Sequence, residues 1–125
     1  MSAVPPKPRR LGRASRIKQG RDFARLRQAG QRTVLGCLIA NWLRLPGAAQ
    51  SRLGVVVGRK VGGSVVRSRV KRLLRESFRL HQHDFSGPLD LVLVARPSIA
   101  GRDFAGVEKD FLEAMRRAGQ LRGAD

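Results

Sequence analysis

Thirteen residues from Thr33 to Leu45, TVLGCLIANWLRL, run almost without polar interruption through a chain otherwise crowded with charge. A segment that is apolar at odd and even positions alike has no side to give to water. It reads as a β-strand covered on both faces. Other elements must pack over it, which predicts an α/β layer architecture built on one sheet.

The rest of the chain can be placed around that strand. Asp22 to Ala29 reads as a short helix capped by Asp22, with Phe23 and Leu26 sharing a face and Gly30 stopping it. Pro46-Gly47 turns the chain, and Leu53 to Val57 forms a second strand. Gly58 to Gly63 is a loop carrying Arg59 and Lys60, and Ser64 caps a helix that runs to about His81. Ser86-Gly87-Pro88 breaks the chain before a third strand, Asp90 to Arg96, which Pro97 ends. A last amphipathic helix spans about Asp103 to Ala118, with Phe104, Val107, Phe111, Leu112 and Met115 as its buried stripe and Gly119 as its stop. This organisation is one domain, residues 17–120. A basic Pro- and Arg-rich tail, residues 1–16, precedes it, and a short tail, residues 121–125, follows it. No internal repeat is visible.

Lys and Arg number 26 against 9 Asp and Glu, a formal net charge of +17. Such a chain repels itself, and the imbalance implies a polyanionic partner, either nucleic acid or an anionic membrane surface. The single cysteine, Cys37, excludes an internal disulfide and a Cys-rich zinc site, and it fits a reducing cytosol. No stretch approaches the roughly 20 apolar residues of a membrane span. The basic N-terminus has no apolar run behind it, so no signal peptide is expected.

The charge concentrates on one predicted helix. Between Arg67 and Arg79 stand six basic residues and one acid, Glu76. On a wheel of about 100° per residue, Val66, Val70, Leu73, Leu74 and Phe78 fall in one arc, and Arg67, Lys71, Arg72, Arg75 and Arg79 in the opposite one. Arg69 lies at the far edge. The row is roughly 18 Å long at a rise of 1.5 Å per residue. Ordinary exposed helices mix signs, because like charges at i, i+4 destabilise them. Here a partner must supply the negative charge. Five of the six cations are arginine, whose planar fork suits phosphate and stacks on bases. A membrane-surface helix would instead set Trp, Phe or Leu against Lys. RNA or DNA is the better partner.

The stretch Leu53 to Arg79, LGVVVGRKVGGSVVRSRVKRLLRESFR, resembles the protein subunit of bacterial ribonuclease P. That family carries a strand, a Lys/Arg-Lys-x-Gly loop and an Arg-Asn-Arg-x-(Lys/Arg)-Arg helix. Here these read Arg59-Lys60-Val61-Gly62 and Arg67-Ser68-Arg69-Val70-Lys71-Arg72. The family's early Asp-Phe and following Gly appear as Asp22-Phe23 and Gly30, and its Asp, apolar run, Ala-Arg as Asp90 to Arg96. The resemblance covers residues 11 to 118 in order.

The resemblance implies a two-layer α/β (α+β) sandwich. One mixed four-stranded sheet packs with about three helices and contains a left-handed β-α-β crossover. The handedness rule by itself would predict a right-handed one. The fourth strand would come from splitting Thr33 to Leu45 or from the segment after it. The resemblance also implies a protein that binds a catalytic RNA subunit and precursor transfer RNA. The complex removes the 5′ leader with Mg²⁺ held by RNA, in the cytoplasm, with no membrane and no obligate protein partner. By the same resemblance Arg59, Arg67, Ser68, Arg69, Lys71, Arg72 and Arg75 face the RNA subunit. Ser68 replaces the family's Asn, keeping a hydroxyl but losing the amide.

The 5′ leader would lie in a cleft of Phe23, Arg27, Ile39, Asn41, Val56, Lys60 and Arg96. Strand alternation would put Leu38, Ala40 and Trp42 under the helices, with Cys37 on the cleft side beside Ile39 and Asn41. Aromatic platforms usually hold single strands. This chain has Arg27 and Asn41 where the family often has aromatics, so leader contact should rest more on charge and hydrogen bonds than on stacking. Phe23 either stacks on the leader or packs in the core against Leu26.

The residues themselves suggest no protein catalyst. No carboxylates pair at useful spacing. His81 and His83, with no third ligand, read as exposed helix-end histidines, and Cys37 has no His–Asp setting. GRKVGGS is not G-x-x-x-x-G-K-[ST], so no nucleotide loop is expected. The alternatives are a structural or ribosomal RNA-binding protein and a DNA-binding module. Against DNA, no helix-turn-helix pair presents the basic helix. A stand-alone nuclease would need a carboxylate cluster that the sequence lacks.

Overall fold

A computed structural model describes residues 16–17 and 20–122. In chain order the elements are α1 (Gly20–Ala29), β1 (Gln31–Leu35), β2 (Leu38–Arg44), β3 (Arg52–Val56), α2 (Ser64–His81), β4 (Leu89–Ala95) and α3 (Phe104–Arg117). Short 3₁₀ turns cover Arg59–Val61, Gln82–Asp84 and Pro97–Ile99. The sheet order is β1-β2-β4-β3; β3 and β4 are parallel and the other two pairs antiparallel. No described helix is long and apolar enough to cross a membrane.

The run from Thr33 to Leu45, a single strand by its apolar pattern, is split into a hairpin, the first of the two sources the resemblance offered for the fourth strand. Gly36 takes φ +55, and Gly36-Cys37 is a two-residue connection between Leu35 and Leu38. Two-residue hairpins accept Gly at this first, positive-φ position because it matches the twist of the strands. The apolar character of the run hid the turn. Asp110 on α3 secures it: its Oδ2 accepts the Cys37 backbone N–H at 2.9 Å. A Cβ at Gly36 would lie 2.1 Å from that oxygen. Gly36→Ala is therefore expected to lower stability by about 2–3 kcal/mol, read as a lower urea midpoint.

Strand alternation builds two cores. Leu38, Ala40, Leu53, Leu91 and Leu93 point to one face and meet Val70, Leu74 and Phe78 of α2 and Val107, Phe111 and Met115 of α3. Trp42 packs against this core, as its register requires. Phe85 sits between Phe78 and Phe111, with ring centroids 5.9 and 6.3 Å away and tilted, a geometry that adds about 0.5–1.5 kcal/mol per pair. On the opposite face Ile17, Leu26 and Val92 form a smaller cluster with Phe23, Leu43 and Val94. Helix α1 thus covers part of the second face and leaves the rest open.

Several local expectations change. α1 begins two residues before Asp22, so Asp22 lies in its first turn and is no cap. The N-cap of α2 is Gly63, with no side-chain cap, and Ser64 is the first helical residue. Cys37 does not line a cleft: it is fully buried in the larger core. Burial first, then the Asp110 carboxylate, pushes its thiol up to about 11, so it is protonated and unreactive at neutral pH. His81 is not an exposed helix-end residue. Its Nε2 lies 2.7 Å from Glu108 and its Nδ1 3.3 Å from Asp84, tying the end of α2 to α3, whereas His83 is exposed.

Residues 1–15 of the expected basic tail lie outside the described residues; Arg16 bridges Leu53 on β3. Leu121, expected in a C-terminal tail, bridges Phe85.

Candidate RNA interface

The uncovered part of the second sheet face is a strip of β-branched side chains. Val34 opposes Ile39, Ile39 opposes Val94, and Val94 neighbours Val56, so the row crosses all four strands. Four strands at about 4.8 Å spacing make it roughly 14 Å wide. Val34 is 47% and Val56 41% exposed. A neighbouring row, Arg32, Asn41, Val92 and Gly54, runs beside it on the side towards α1. Lone exposed valines are ordinary. A contiguous row with no helix over it is an open apolar face that a partner could cover.

Phe23 borders this floor. Its ring lies over Gly54, where a Cβ would sit 3.0 Å from the ring, so glycine is what lets it approach the strand. Phe23 packs against the cluster of Ile17, Leu26 and Val92 yet is only half-buried. It is at once a core residue and an accessible ring edge. Arg27, one turn further along α1, is exposed. Lys60 is exposed in the 3₁₀ turn after β3. Arg96 continues the alternation of Val94 to the same face; its Nη1 donates to the Gly36 carbonyl at 3.0 Å, tying it to the hairpin turn. The structure therefore brings Phe23, Ile39, Asn41, Val56 and Arg96 to the open face or its margin.

What holds α1 in place was not anticipated. Asp90, at the head of β4, is fully buried. Its carboxylate accepts two bonds from Arg52, at 2.8 and 2.7 Å, and one from Arg25 of α1 at 3.0 Å. Asp22 stands 3.4 Å from Arg52, closing the network. The hydrogen bonds that Arg52 donates to Asp90 hold its guanidinium even more firmly protonated than usual. A charge inside an apolar strand, DLVLVA, was the available signal, because a buried carboxylate must have cationic partners.

The second surface is the outer arc of α2. Ser68, Arg72 and Arg75 are exposed, Lys71 and Arg69 half-buried, and Arg59 exposed just before the helix. Two residues depart from the wheel. Arg67 lies at the flank of the buried side, and its Nε is shielded with no hydrogen-bond partner among the described residues. Arg79 is not part of the free basic row: its side chain is 14% exposed and ion-paired with Glu76. Ser77 is buried instead, its hydroxyl donating to the Leu73 carbonyl at 3.1 Å. That pairing of Glu76 leaves the outer arc strongly positive.

The two surfaces meet at the edge of β3. There Arg75 of α2 and Phe23 of α1 share a depression of about 230 Å³ with Arg16, Ile17, Leu53, Gly54 and Val55.

No three His, Cys, Asp or Glu side chains come together to hold a metal ion among the described residues. The acids present serve the architecture: Asp90 and Asp22 bind arginines, Asp110 holds the hairpin, and Asp103 caps α3. The described residues offer no ligand set for a protein-held Mg²⁺.

Comparison with known proteins agrees with this geometry. The family model described as Ribonuclease P matches residues 11–119. The ribonuclease P protein component of Brevibacillus brevis is 33% identical over 114 residues, covering 91% of this chain and 90% of that protein. The solved ribonuclease P protein of Thermotoga maritima superposes with a TM-score of 0.73 at 28% identity, covering 82% of this chain and 96% of that one. The Staphylococcus aureus protein, at 24% identity, shares the fold with a TM-score of 0.80 over 88% of this chain and 100% of its own. An uncovered sheet strip, a basic helix joined to it at β3 and a family match across almost the whole domain lead to one conclusion: the chain belongs to the ribonuclease P protein family.

Proposed function

We propose that this chain is the protein subunit of a ribonuclease P ribonucleoprotein. It binds the catalytic RNA through α2 and the 5′ leader of precursor transfer RNA across the open sheet face. The RNA subunit performs the cleavage, with Mg²⁺ held by RNA, in the cytoplasm. The observation that carries this reading is the Val34–Ile39–Val94–Val56 strip with Arg96 at its margin. An extended single strand can lay base faces on that apolar floor while its phosphates meet Arg27, Lys60 and Arg96. Structured RNA is recognised largely by shape, phosphate and 2′-OH, which suits the row Arg59, Arg67, Ser68, Arg69, Lys71, Arg72 and Arg75. The protein's part is binding and orientation, which lowers the barrier by holding substrate and catalyst together.

The test uses Val56→Asp, an acid placed on an exposed strip residue. The complex of this variant with ribonuclease P RNA should bind leader-bearing precursor about tenfold more weakly and mature transfer RNA unchanged, with circular dichroism confirming the fold. Equal affinities of variant and wild type for the precursor would remove the strip from the leader path. A structural RNA-binding role, in contrast, would leave the wild-type complex with no preference for precursor over mature transfer RNA.

A further inference from the structure

The side chain of Arg69 does not simply point into solvent. Its Nη2 donates to the Arg102 backbone carbonyl at 2.7 Å, joining α2 to the segment between β4 and α3. That segment is tightly built. Ile99 N–H donates to Arg96 O at 2.9 Å, Ala100 N–H to Pro97 O at 3.2 Å and Arg102 N–H to Ile99 O at 3.0 Å. Ile99 is fully buried and anchors it, and Gly101 turns it at φ +82. The Arg59–Val61 turn packs against its Pro97–Ile99 turn. It begins at Arg96, beside the sheet strip, and ends at Arg102, beside the basic helix.

Arg102 itself has little to do in the fold. Its side chain is 43% exposed, and its one ion pair among the described residues is a long 3.7 Å approach to Asp110 Oδ2. That oxygen already accepts the Cys37 N–H. Arg102 also stands immediately before Asp103, the N-cap of α3, where the positive end of the helix dipole disfavours a cation. An exposed arginine, poorly paired and held on a rigid loop against a dipole of its own sign, would gain from an anion supplied by a partner.

We propose that Arg102 is a phosphate-backbone contact for the catalytic RNA, and that Arg69 positions it. The segment from Arg96 to Arg102 then joins the two RNA surfaces into one cationic band. Arg69 spends one of its terminal N–H groups on the loop carbonyl, so part of what its removal costs is the placement of Arg102. This inference rests on the ribonuclease P reading and extends its RNA-subunit surface to a residue outside the basic helix.

The experiment measures binding of ribonuclease P RNA as a function of salt for wild type, Arg102→Ala, Arg102→Lys, Arg69→Ala, the Arg69→Ala/Arg102→Ala double variant, and Arg72→Ala as a reference. Losing one phosphate contact should weaken binding about sixfold near 0.1 M salt and lower the salt slope by about 0.7 to 0.9. Arg102→Ala should show both changes with an unaltered unfolding midpoint, and Arg102→Lys should recover most of the slope. The double variant should lose clearly less than the sum of the two single losses. A wild-type slope for Arg102→Ala beside a reduced one for Arg72→Ala would overturn the inference and leave the functional reading intact. Additive losses in the double variant would overturn the positioning role of Arg69. Failure of the wild-type chain to bind this RNA would bring down the functional reading itself.

Discussion

Replacing Asp90 with Ala is expected to destabilise the domain by about 3 kcal/mol, because the change strands cations that a buried carboxylate now neutralises. The Asp90 side chain is fully buried and takes three hydrogen bonds from Arg52 and Arg25. Breaking a buried pair by removing one partner costs about 3–5 kcal/mol. The low end applies here, since Arg52 is 29% exposed and Asp22 remains 3.4 Å from it. Asp90→Asn, which keeps the shape and one acceptor, should cost about half as much. The effect reaches function because Arg25 docks α1, and α1 sets Phe23 over Gly54. The variant should therefore lose leader affinity as well as stability. Urea unfolding measures the first and precursor binding the second. A variant as stable as wild type would show that the network contributes nothing net.

The second large effect is on the RNA subunit. Converting Lys71, Arg72 and Arg75 together to Ala should weaken binding of ribonuclease P RNA by about a hundredfold or more near 0.1 M salt. The salt slope should fall by about 2 to 3, one step of 0.7 to 0.9 for each lost contact. These three are chosen because the structure leaves their side chains available, whereas Arg79 is paired with Glu76 and Arg67 is partly enclosed. The fold should tolerate the change, since none of the three lies in the core and their mutual repulsion disappears. An unchanged slope would take α2 out of the interface.

The sequence made the layers and the basic helix legible because both rest on periodicity. The stripe Val70, Leu74 and Phe78 and the stripe Val107, Phe111 and Met115 are buried where the 3.6-residue repeat puts them. What stayed hidden rests on tertiary partners. The hairpin turn at Gly36-Cys37 lay inside an apolar run and is fixed by Asp110, distant in sequence. The side of Cys37 could not be read by counting alternation through a strand that in fact turns there. The Asp90 network depends on Arg25 and Arg52, 65 and 38 residues away. Arg67 and Arg79 belong to the basic row on an ideal wheel, but real packing and Glu76 draw them out of it. The resemblance named Ile39, Asn41 and Val56 for the cleft; it took the strand register to join Val34 and Val94 to them in one continuous row.

The central claim is that this chain works with a catalytic RNA on precursor transfer RNA. The most direct measurement is cleavage of a 5′-labelled precursor by ribonuclease P RNA, at a Mg²⁺ concentration where the RNA by itself is slow, with and without the purified chain. The account predicts that the chain restores cleavage at the mature 5′ end and does nothing without the RNA. A chain that binds both RNAs but never accelerates cleavage, or one that cuts the precursor unaided, would contradict it.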